Sequence, residues 1–290
     1  MSTTPTSATI PIEEFHAKLQ EAVEARSYQR IEVFIFRFED DATGADKDAI
    51  TFSDCMRDVF GINDVEDFAI ERTSKFVGYD VHRRICAKVD RLLRSRSLLI
   101  IAYIGRGVID MADRLQLISE NGSQKMFWSN IHDYILASTD DYMENLDVFA
   151  MLDCCYAGSA VCAGGNRSVQ LLASCEDRHG VCSRTDAVSF TERFRQAAYA
   201  LANAGNLSVS VESLFSELQR LRPSGAPDAV HEIIGNARPL VLSVPKSSSN
   251  ETNVLLKISL TGGPSDVILN DFLQLTKTIP PEFKVTLENA

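Results

Sequence analysis

The chain has 290 residues and 45% of them are hydrophobic, so it can bury a large core in one generous α/β domain or in two small ones. Its formal charge of -11, from 29 basic and 40 acidic side chains, disfavours nucleic acid and anionic membranes as partners, since both repel an acidic surface. No segment reaches the roughly 18 unbroken apolar residues that a membrane helix needs, so we expect neither nucleic acid nor membrane as a partner.

The opening MSTTPTSATI has neither the basic region nor the apolar core of a signal peptide. The chain contains seven cysteines, and Cys154 and Cys155 are adjacent, which disfavours a disulfide framework. Reduced thiols are typical of the cytosol and nucleus. We therefore expect a cytoplasmic protein, with the nucleus as the alternative.

The first half of the chain alternates predicted helices and strands. Residues 1–28 are predicted to be a disordered polar start followed by an N-terminal helix. Runs rich in β-branched and aromatic residues predict its strands, which lie at 31–38, near 67–71 and at 97–104. Apolar residues at helical spacing predict its helices, one from about Asp48 to Phe60 and one that carries Val81, Ile85 and Val89.

The second half continues this alternation. A hairpin-like segment runs from RLQLIS to KMFW, and a helix containing Ile131 follows it. Strands are predicted at 146–152 and 169–174, followed by two amphipathic helices that contain Phe194 and Leu214. The apolar run PLVLS at 239–243 is predicted to be the last strand of the sheet.

Apolar strands that alternate with helices predict a mostly parallel sheet with helices on both faces. We assign this main domain to residues 29–246 and a small β-α-β appendage to 247–290, because a Ser-rich link at 247–249 separates them. A piece of about 40 residues rarely forms a stable core alone, so the appendage is expected to pack on the main domain.

Two short motifs follow two long apolar strands: IIAYIGRG ends one and AMLDCCYAG ends the next. Binding sites in parallel sheets gather at the carboxyl ends of the strands. A cysteine placed there can also lie at a helix N-terminus, which favours its thiolate and suits nucleophilic catalysis.

The two motifs resemble those of caspases and metacaspases, in which one strand ends in Gly-His-Gly and the next in Asp-x-Cys-x-x-Gly. The order of elements from about residue 30 to 245 is also similar to that family. The resemblance implies a caspase-like three-layer α/β/α sandwich with a six-stranded, mostly parallel sheet. It also implies cysteine-type endopeptidase chemistry and a role in regulated cell death.

Carried over by position, the resemblance implies that Cys155 is the nucleophile and that Gly107 lies where the oxyanion is held. Asp153 matches the metacaspase residue that receives a basic substrate side chain, so the implied partner is a protein or peptide with Arg or Lys before the scissile bond. A homodimer, or a heterodimer with a caspase-like relative, is a further implied partner. No cofactor and no metal are implied, and a calcium requirement does not follow from the residues.

Arg106 departs from the pattern, because it stands where the family has its catalytic His. Imidazole can take the thiol proton and return it to the leaving amine, whereas a guanidinium only donates hydrogen bonds. One hypothesis is therefore a degenerate homologue that acts by binding or by pairing with a relative. The alternative is an active or weakly active endopeptidase, with Cys155 as nucleophile and another base.

Other interpretations of these residues are structural or involve different ligands. Gly105 and Gly107 could begin a dinucleotide motif, but Asp110 stands at the third glycine position and would repel pyrophosphate. Cys155 could be an ordinary buried thiol, and Cys154 is predicted to be a core residue.

The spacing of Cys175, His179 and Cys182 could hold zinc only with a fourth ligand from elsewhere. His179 could also replace the missing base. The remaining histidines of the predicted helices, His16, His82 and His132, are predicted to be surface or packing residues.

Overall fold

The computed structural model describes residues 11, 28–133, 143, 145–160, 168–175, 188–235, 239–245 and 269–271. The chain divides into two compact units, Gln29–Pro245 and a second made of Met1–Tyr28 with Lys246–Ala290. The predicted N-terminal helix and the predicted appendage at 247–290 fall almost entirely outside the described residues. Among the described residues, no helix combines the length and apolarity needed to cross a bilayer.

The described part of Gln29–Pro245 alternates strands with helices. Its strands are β1 (Arg30–Phe38), β2 (Val65–Ile70), β3 (Ser97–Ile104), β4 (Arg106–Ile109), β5 (Leu115–Ile118), β6 (Lys125–Phe127), β7 (Leu146–Asp153), β8 (Ser168–Ala173), β9 (Ser208–Ser210), β10 (Val230–Gly235) and β11 (Val241–Ser243). Its longer helices are α1 (Ala45–Asp58), α2 (Val77–Leu92), α3 (Phe190–Asn203) and α4 (Val211–Arg220). Two short turns, Ser129–Ile131 and the 3-10 turn Ala157–Ala160, complete these elements.

The central sheet has six strands in the order β2-β1-β3-β7-β8-β10. Every neighbouring pair is parallel except β8 and β10, which are antiparallel. The mostly parallel six-stranded sheet predicted from the sequence is therefore confirmed.

The prediction that residues 239–243 form the last strand of this sheet is wrong. β11 pairs instead with β9 in a separate two-stranded sheet, although Leu240 and Leu242 are buried. The sixth strand is β10, which lies at the edge of the sheet; Ile234 is buried, whereas the residues from Val230 to Ile233 are partly buried or exposed. An edge strand needs no continuous apolar run, so its sequence does not stand out.

Alternate residues of the strands pack against helices on opposite faces of the sheet. On one face, Phe34 and Phe36 of β1 share a core with Val81 and Ile85 of α2. On the other, Phe194 of α3 lies against α1 and β7, with its ring centroid 5.3 Å from Phe52 and 6.4 Å from Phe149. The result is the predicted arrangement of helix, sheet and helix layers.

Candidate functional site

The two motifs lie side by side at the carboxyl ends of two central strands. β3 and β7 are parallel neighbours, and Ile104 pairs with Asp153 at their carboxyl ends. The amide of Gly105 donates a hydrogen bond to the carbonyl of Asp153 at 3.1 Å. The Cys155 motif and the Arg106 motif are thus brought together as the sequence predicts.

Cys155 lies in a sharp turn directly after β7. Its side chain is 8% exposed, and Tyr156 has a φ of 59°, a left-handed conformation that is uncommon for an aromatic residue. The described residues that follow form the 3-10 turn Ala157–Ala160. A strained backbone next to a candidate nucleophile fits a functional turn.

The chain before this turn is held by side chains that donate to its backbone. The carbonyl of Cys154 accepts hydrogen bonds from the hydroxyl of Ser174 at 2.8 Å and from the thiol of Cys175 at 3.5 Å. Cys154 itself is 2% exposed and belongs to the hydrophobic core, as predicted. The backbone just before Cys155 is therefore anchored to the two residues that follow β8.

Gly107 packs directly against this turn. A Cβ atom at position 107 would lie 2.3 Å from the carbonyl oxygen of Cys155 and 3.0 Å from the sulfur of Cys154. No L side chain fits at the first of these distances. Glycine at 107 therefore allows β4 to approach the turn at Cys155. The family resemblance implies that an oxyanion would be held at Gly107.

Arg106 begins β4, and its charge is paired with Glu120. Its Nη1 donates to Oε1 of Glu120 at 2.6 Å and to the Glu120 carbonyl at 3.4 Å. The hydroxyl of Tyr103 donates to the carbonyl of Arg106 at 2.7 Å. The hydrogen bond from Arg106, and after it the backbone amide of Ala42, hold the pKa of Glu120 below its ordinary value.

Asp153 is 1% exposed, and it holds the start of helix α3. Its Oδ2 accepts hydrogen bonds from the backbone amide of Thr191 at 3.0 Å and from the Thr191 hydroxyl at 2.8 Å. A carboxylate at a helix N-terminus is stabilised by the free amides of the first turn.

Arg193, which is 2% exposed, lies close enough to Asp153 for their charges to interact. Burial lowers the pKa of Arg193, and attraction by the Asp153 carboxylate partly opposes that effect. Asp153 is thus bonded to a helix terminus and lies within electrostatic reach of a guanidinium.

Of the three residues in the zinc hypothesis, Cys175 is fully buried, and His179 and Cys182 lie outside the described residues. Burial, as the largest cause, raises the pKa of the Cys175 thiol. Within the described part of the chain, no group of His, Cys, Asp and Glu side chains could hold a metal ion. The prediction that His179 replaces the base also falls outside the described residues.

Sequence reasoning missed three residues of this site: Glu120, Thr191 and Arg193. Each is brought to its partner by tertiary contacts, with Glu120 14 positions from Arg106 and Thr191 38 positions from Asp153. Only the Ser189 cap before Thr191 carries a local signal, since a Ser followed by Glu192 marks a helix start.

Comparison with known proteins gives structural likeness without a sequence match. No protein-family model matches the chain, and no curated protein matches it. The crystal structure of the Drosophila initiator caspase Dronc is similar over 73% of this chain and 82% of that one, with 9% identity and a TM-score of 0.48. Chaetomium thermophilum Raptor is similar over 68% of this chain and 22% of its own, with 7% identity and a TM-score of 0.34. With likeness this distant, the interpretation of the site rests on the chain's own geometry.

Proposed function

We propose that this chain is a caspase-like cysteine peptidase homologue that has lost turnover and acts by binding. Its partner is a protein segment in the cleft beside Cys155 or a caspase-like relative. The observation that carries the proposal is the ion pair between Arg106 and Glu120, since the family resemblance implies a catalytic His at position 106.

Neither member of that pair is suited to take the thiol proton. A guanidinium stays protonated at any physiological pH. The pKa of Glu120 is lowered chiefly by the hydrogen bond from Arg106, and a weaker base is a poorer acceptor for a thiol proton. General acid and base help is worth about 10² to 10⁴ in rate, so its loss leaves binding as the function that remains.

The contacts made by the histidines of the described residues do not suit any of them to replace the missing base. His231 lies on β10, two strands from β7, which is roughly 10 Å at the usual strand spacing. The side chains of His82 and His132 contact Cys86 and Asp133 on their own helical segments. A working base must reach its proton donor within about 3.2 Å or through one water.

The surroundings of Asp153 argue against cleavage after a basic residue. A carboxylate that selects Arg or Lys must be reached by the substrate, whereas Asp153 is 1% exposed and already accepts two hydrogen bonds from Thr191. The nearby charge of Arg193 would repel a basic side chain. Asp153 is better suited to hold helix α3 than to select a substrate.

The proposal is tested by measuring turnover and thiol modification on the same protein. The full chain is incubated with fluorogenic peptides that carry a basic, acidic or neutral residue before the scissile bond, Arg and Lys included, with and without calcium, beside a Cys155→Ala control. We expect no hydrolysis that depends on Cys155. Cleavage by the natural chain that disappears in Cys155→Ala would contradict the loss of turnover.

Iodoacetamide labelling followed by peptide mass spectrometry measures the thiol separately. We expect Cys155, which is 8% exposed, to be modified faster than Cys55 and Cys175, which are both fully buried. Burial raises the pKa of Cys55 to about 12, so that thiol stays protonated at neutral pH. Labelling of Cys155 no faster than these internal controls would mean that the thiol is not accessible to any ligand of the cleft.

Binding is measured by fluorescence anisotropy with labelled peptides of acidic, neutral and basic sequence. Saturable binding that survives in Cys155→Ala is expected, because the proposed function does not use the thiol as a nucleophile. Absence of saturable binding by every peptide, together with absence of association with any caspase-like relative, would contradict the binding function.

A further inference from the structure

Met111 is the most exposed large hydrophobic side chain of the described residues. It is 109% exposed, which is full exposure, and it lies in the turn between β4 and β5. The next of these side chains, Phe76, is 72% exposed. The thioether sulfur of Met111 is therefore open to small solutes on every side that its own chain does not cover.

The other methionines of the described residues are shielded from solvent. Their exposed fractions lie between 0% and 6%; they are Met56, Met126, Met143 and Met151. Methionine 1 falls outside the described residues. Exposure therefore separates Met111 from four side chains of the same type in the same protein.

The turn that carries Met111 is held by the carboxylate of Asp110. Its Oδ1 accepts hydrogen bonds from the amides of Ala112 and Arg114, both at 2.9 Å. Its Oδ2 accepts from the guanidinium of Arg114, at 2.9 Å from Nε and 2.7 Å from Nη2. The amide of Asp113, whose φ is 56°, donates to the Asp110 carbonyl at 3.1 Å. The backbone on both sides of Met111 is thus fixed.

The turn is also tied to the rest of the hairpin. The amide of Asp110 donates to the carbonyl of Arg114 at 3.1 Å, and Ile109 pairs with Leu115, which is 3% exposed. The guanidinium carbon of Arg114 lies 4.3 Å from the centroid of the Phe127 ring. An ordered turn on a packed hairpin keeps Met111 at its tip, because the backbone has little freedom to fold the side chain inward.

We propose that Met111 is a reversible oxidation site, with hydrogen peroxide as the oxidant. A lone pair of the thioether sulfur attacks one peroxide oxygen, the O–O bond breaks, and the other oxygen leaves as water after proton transfer. The sulfur is oxidised to the sulfoxide and the peroxide is reduced. A methionine sulfoxide reductase reverses the change, since its thiols supply two electrons and become a disulfide while the sulfoxide oxygen leaves as water.

Oxidation at this position changes the surface and not the core. A sulfoxide is polar and chiral, and it disrupts packing when it forms on a buried methionine. Met111 contributes nothing to the core, because its side chain is fully exposed. The modification therefore converts one apolar hairpin tip into a polar one and leaves the fold intact.

The first test treats the full chain with hydrogen peroxide and follows each methionine peptide by mass spectrometry. We expect Met111 to be oxidised about tenfold or more faster than the four buried methionines, because access limits the reaction at a buried sulfur. In concentrated urea, where the fold no longer shields any sulfur, these rates should become similar. Equal rates in the folded chain would overturn the proposal, as would faster oxidation of any buried methionine.

Matched variants assign the fast reaction to one residue. Met111→Leu replaces an exposed side chain, so it should fold normally and lose the fast uptake of oxygen by methionine. Met126→Leu is the control, since Met126 is 3% exposed, and it should keep that uptake. Cys155→Ala should keep it as well, which makes failure of this proposal distinguishable from failure of the proposed binding function. Fast methionine oxidation that persists in Met111→Leu would contradict the assignment.

The last test asks whether the modification is reversible and harmless to the fold. The chain oxidised at Met111 is incubated with dithiothreitol and two methionine sulfoxide reductases, one for each sulfoxide epimer. We expect the sulfoxide to return to methionine, and the urea midpoints of the natural and oxidised chains to coincide. A sulfoxide that resists both enzymes, or a lower midpoint after oxidation, would show damage in place of a reversible modification and would overturn the proposal.

Discussion

The strand end that carries Cys155 and the strand end that carries Arg106 are neighbours, yet they are held in different ways. Cys155 is buried, and the carbonyl of the residue before it accepts a hydrogen bond from Ser174, which directly follows β8. Arg106 begins a peripheral hairpin, and its side chain is 39% exposed in an ion pair with Glu120. We therefore expect a change at the buried end to disturb the core more than a change at the exposed end. The presence of Cys155 at the end of a core strand does not by itself indicate turnover.

The largest expected effect at the buried end comes from Asp153→Ala. The substitution removes both hydrogen bonds to Thr191 and leaves a buried amide without its acceptor, so we expect a loss of about 3 kcal/mol in the free energy of unfolding. Urea denaturation measures this loss. Thr191→Val, which exchanges the hydroxyl for a methyl group of similar size, is the matched control and should cost about 1 kcal/mol. A loss for Asp153→Ala no larger than that of the control would mean that the carboxylate does not hold helix α3.

Gly107→Ala tests the contact between the two strand ends. The new Cβ would lie 2.3 Å from the Cys155 carbonyl, which is backbone and has little freedom to move. We expect a cost of about 2 kcal/mol in the free energy of unfolding, together with altered labelling of Cys155 by iodoacetamide. Gly122→Ala is a control because a Cβ at 122 meets nothing within 4 Å, although its φ of 68° adds some strain. If Gly107→Ala is no more destabilising than Gly122→Ala, then β4 does not pack closely against the turn at Cys155.

Glu120→Gln tests the exposed end, where the expected effect is smallest. Both side chains of the pair are more than a third exposed, so removing the charge should cost about 0–1 kcal/mol in the free energy of unfolding at neutral pH. The pKa of Glu120 is lowered, chiefly by Arg106, so its contribution is present above its ordinary value of 4.5 and is lost as the pH falls through the folded-state pKa. Unfolding curves of the natural chain and the variant should therefore converge in acid. A difference in the free energy of unfolding between the natural chain and Glu120→Gln that grows in acid would contradict the ion pair between Arg106 and Glu120.

The sequence predicts the layers of the fold well, because β3 and β7 are continuous apolar runs and α2 has strict helical spacing. It fails at β10, where an edge strand with mixed burial carries little apolar signal. The sequence therefore predicts the correct number of strands but assigns the sixth to residues 239–243 in place of β10.

For the candidate site, the sequence predicts the neighbourhood of Cys155, Arg106 and Gly107, since the ends of adjacent parallel strands must meet. It does not predict the partners of charged groups. Glu120 and Thr191 reach Arg106 and Asp153 through loops and helices whose relative placement has no local signature. The substrate-binding role predicted for Asp153 illustrates this limit. The motif places Asp153 beside Cys155, but its burial and its hydrogen bonds to Thr191 depend on the packing of helix α3 and are not visible in the sequence.

The most direct test of the account is turnover of fluorogenic peptides by Arg106→His, with Arg106→Gln as the matched control. Both variants break the ion pair with Glu120, but only histidine supplies a base. We predict hydrolysis by Arg106→His that exceeds the natural chain by up to about 10² to 10⁴ and requires Cys155, with no gain in Arg106→Gln. Equal hydrolysis by the natural chain and by Arg106→His, abolished in both by Cys155→Ala, would contradict the claim that the missing base is what this site lacks.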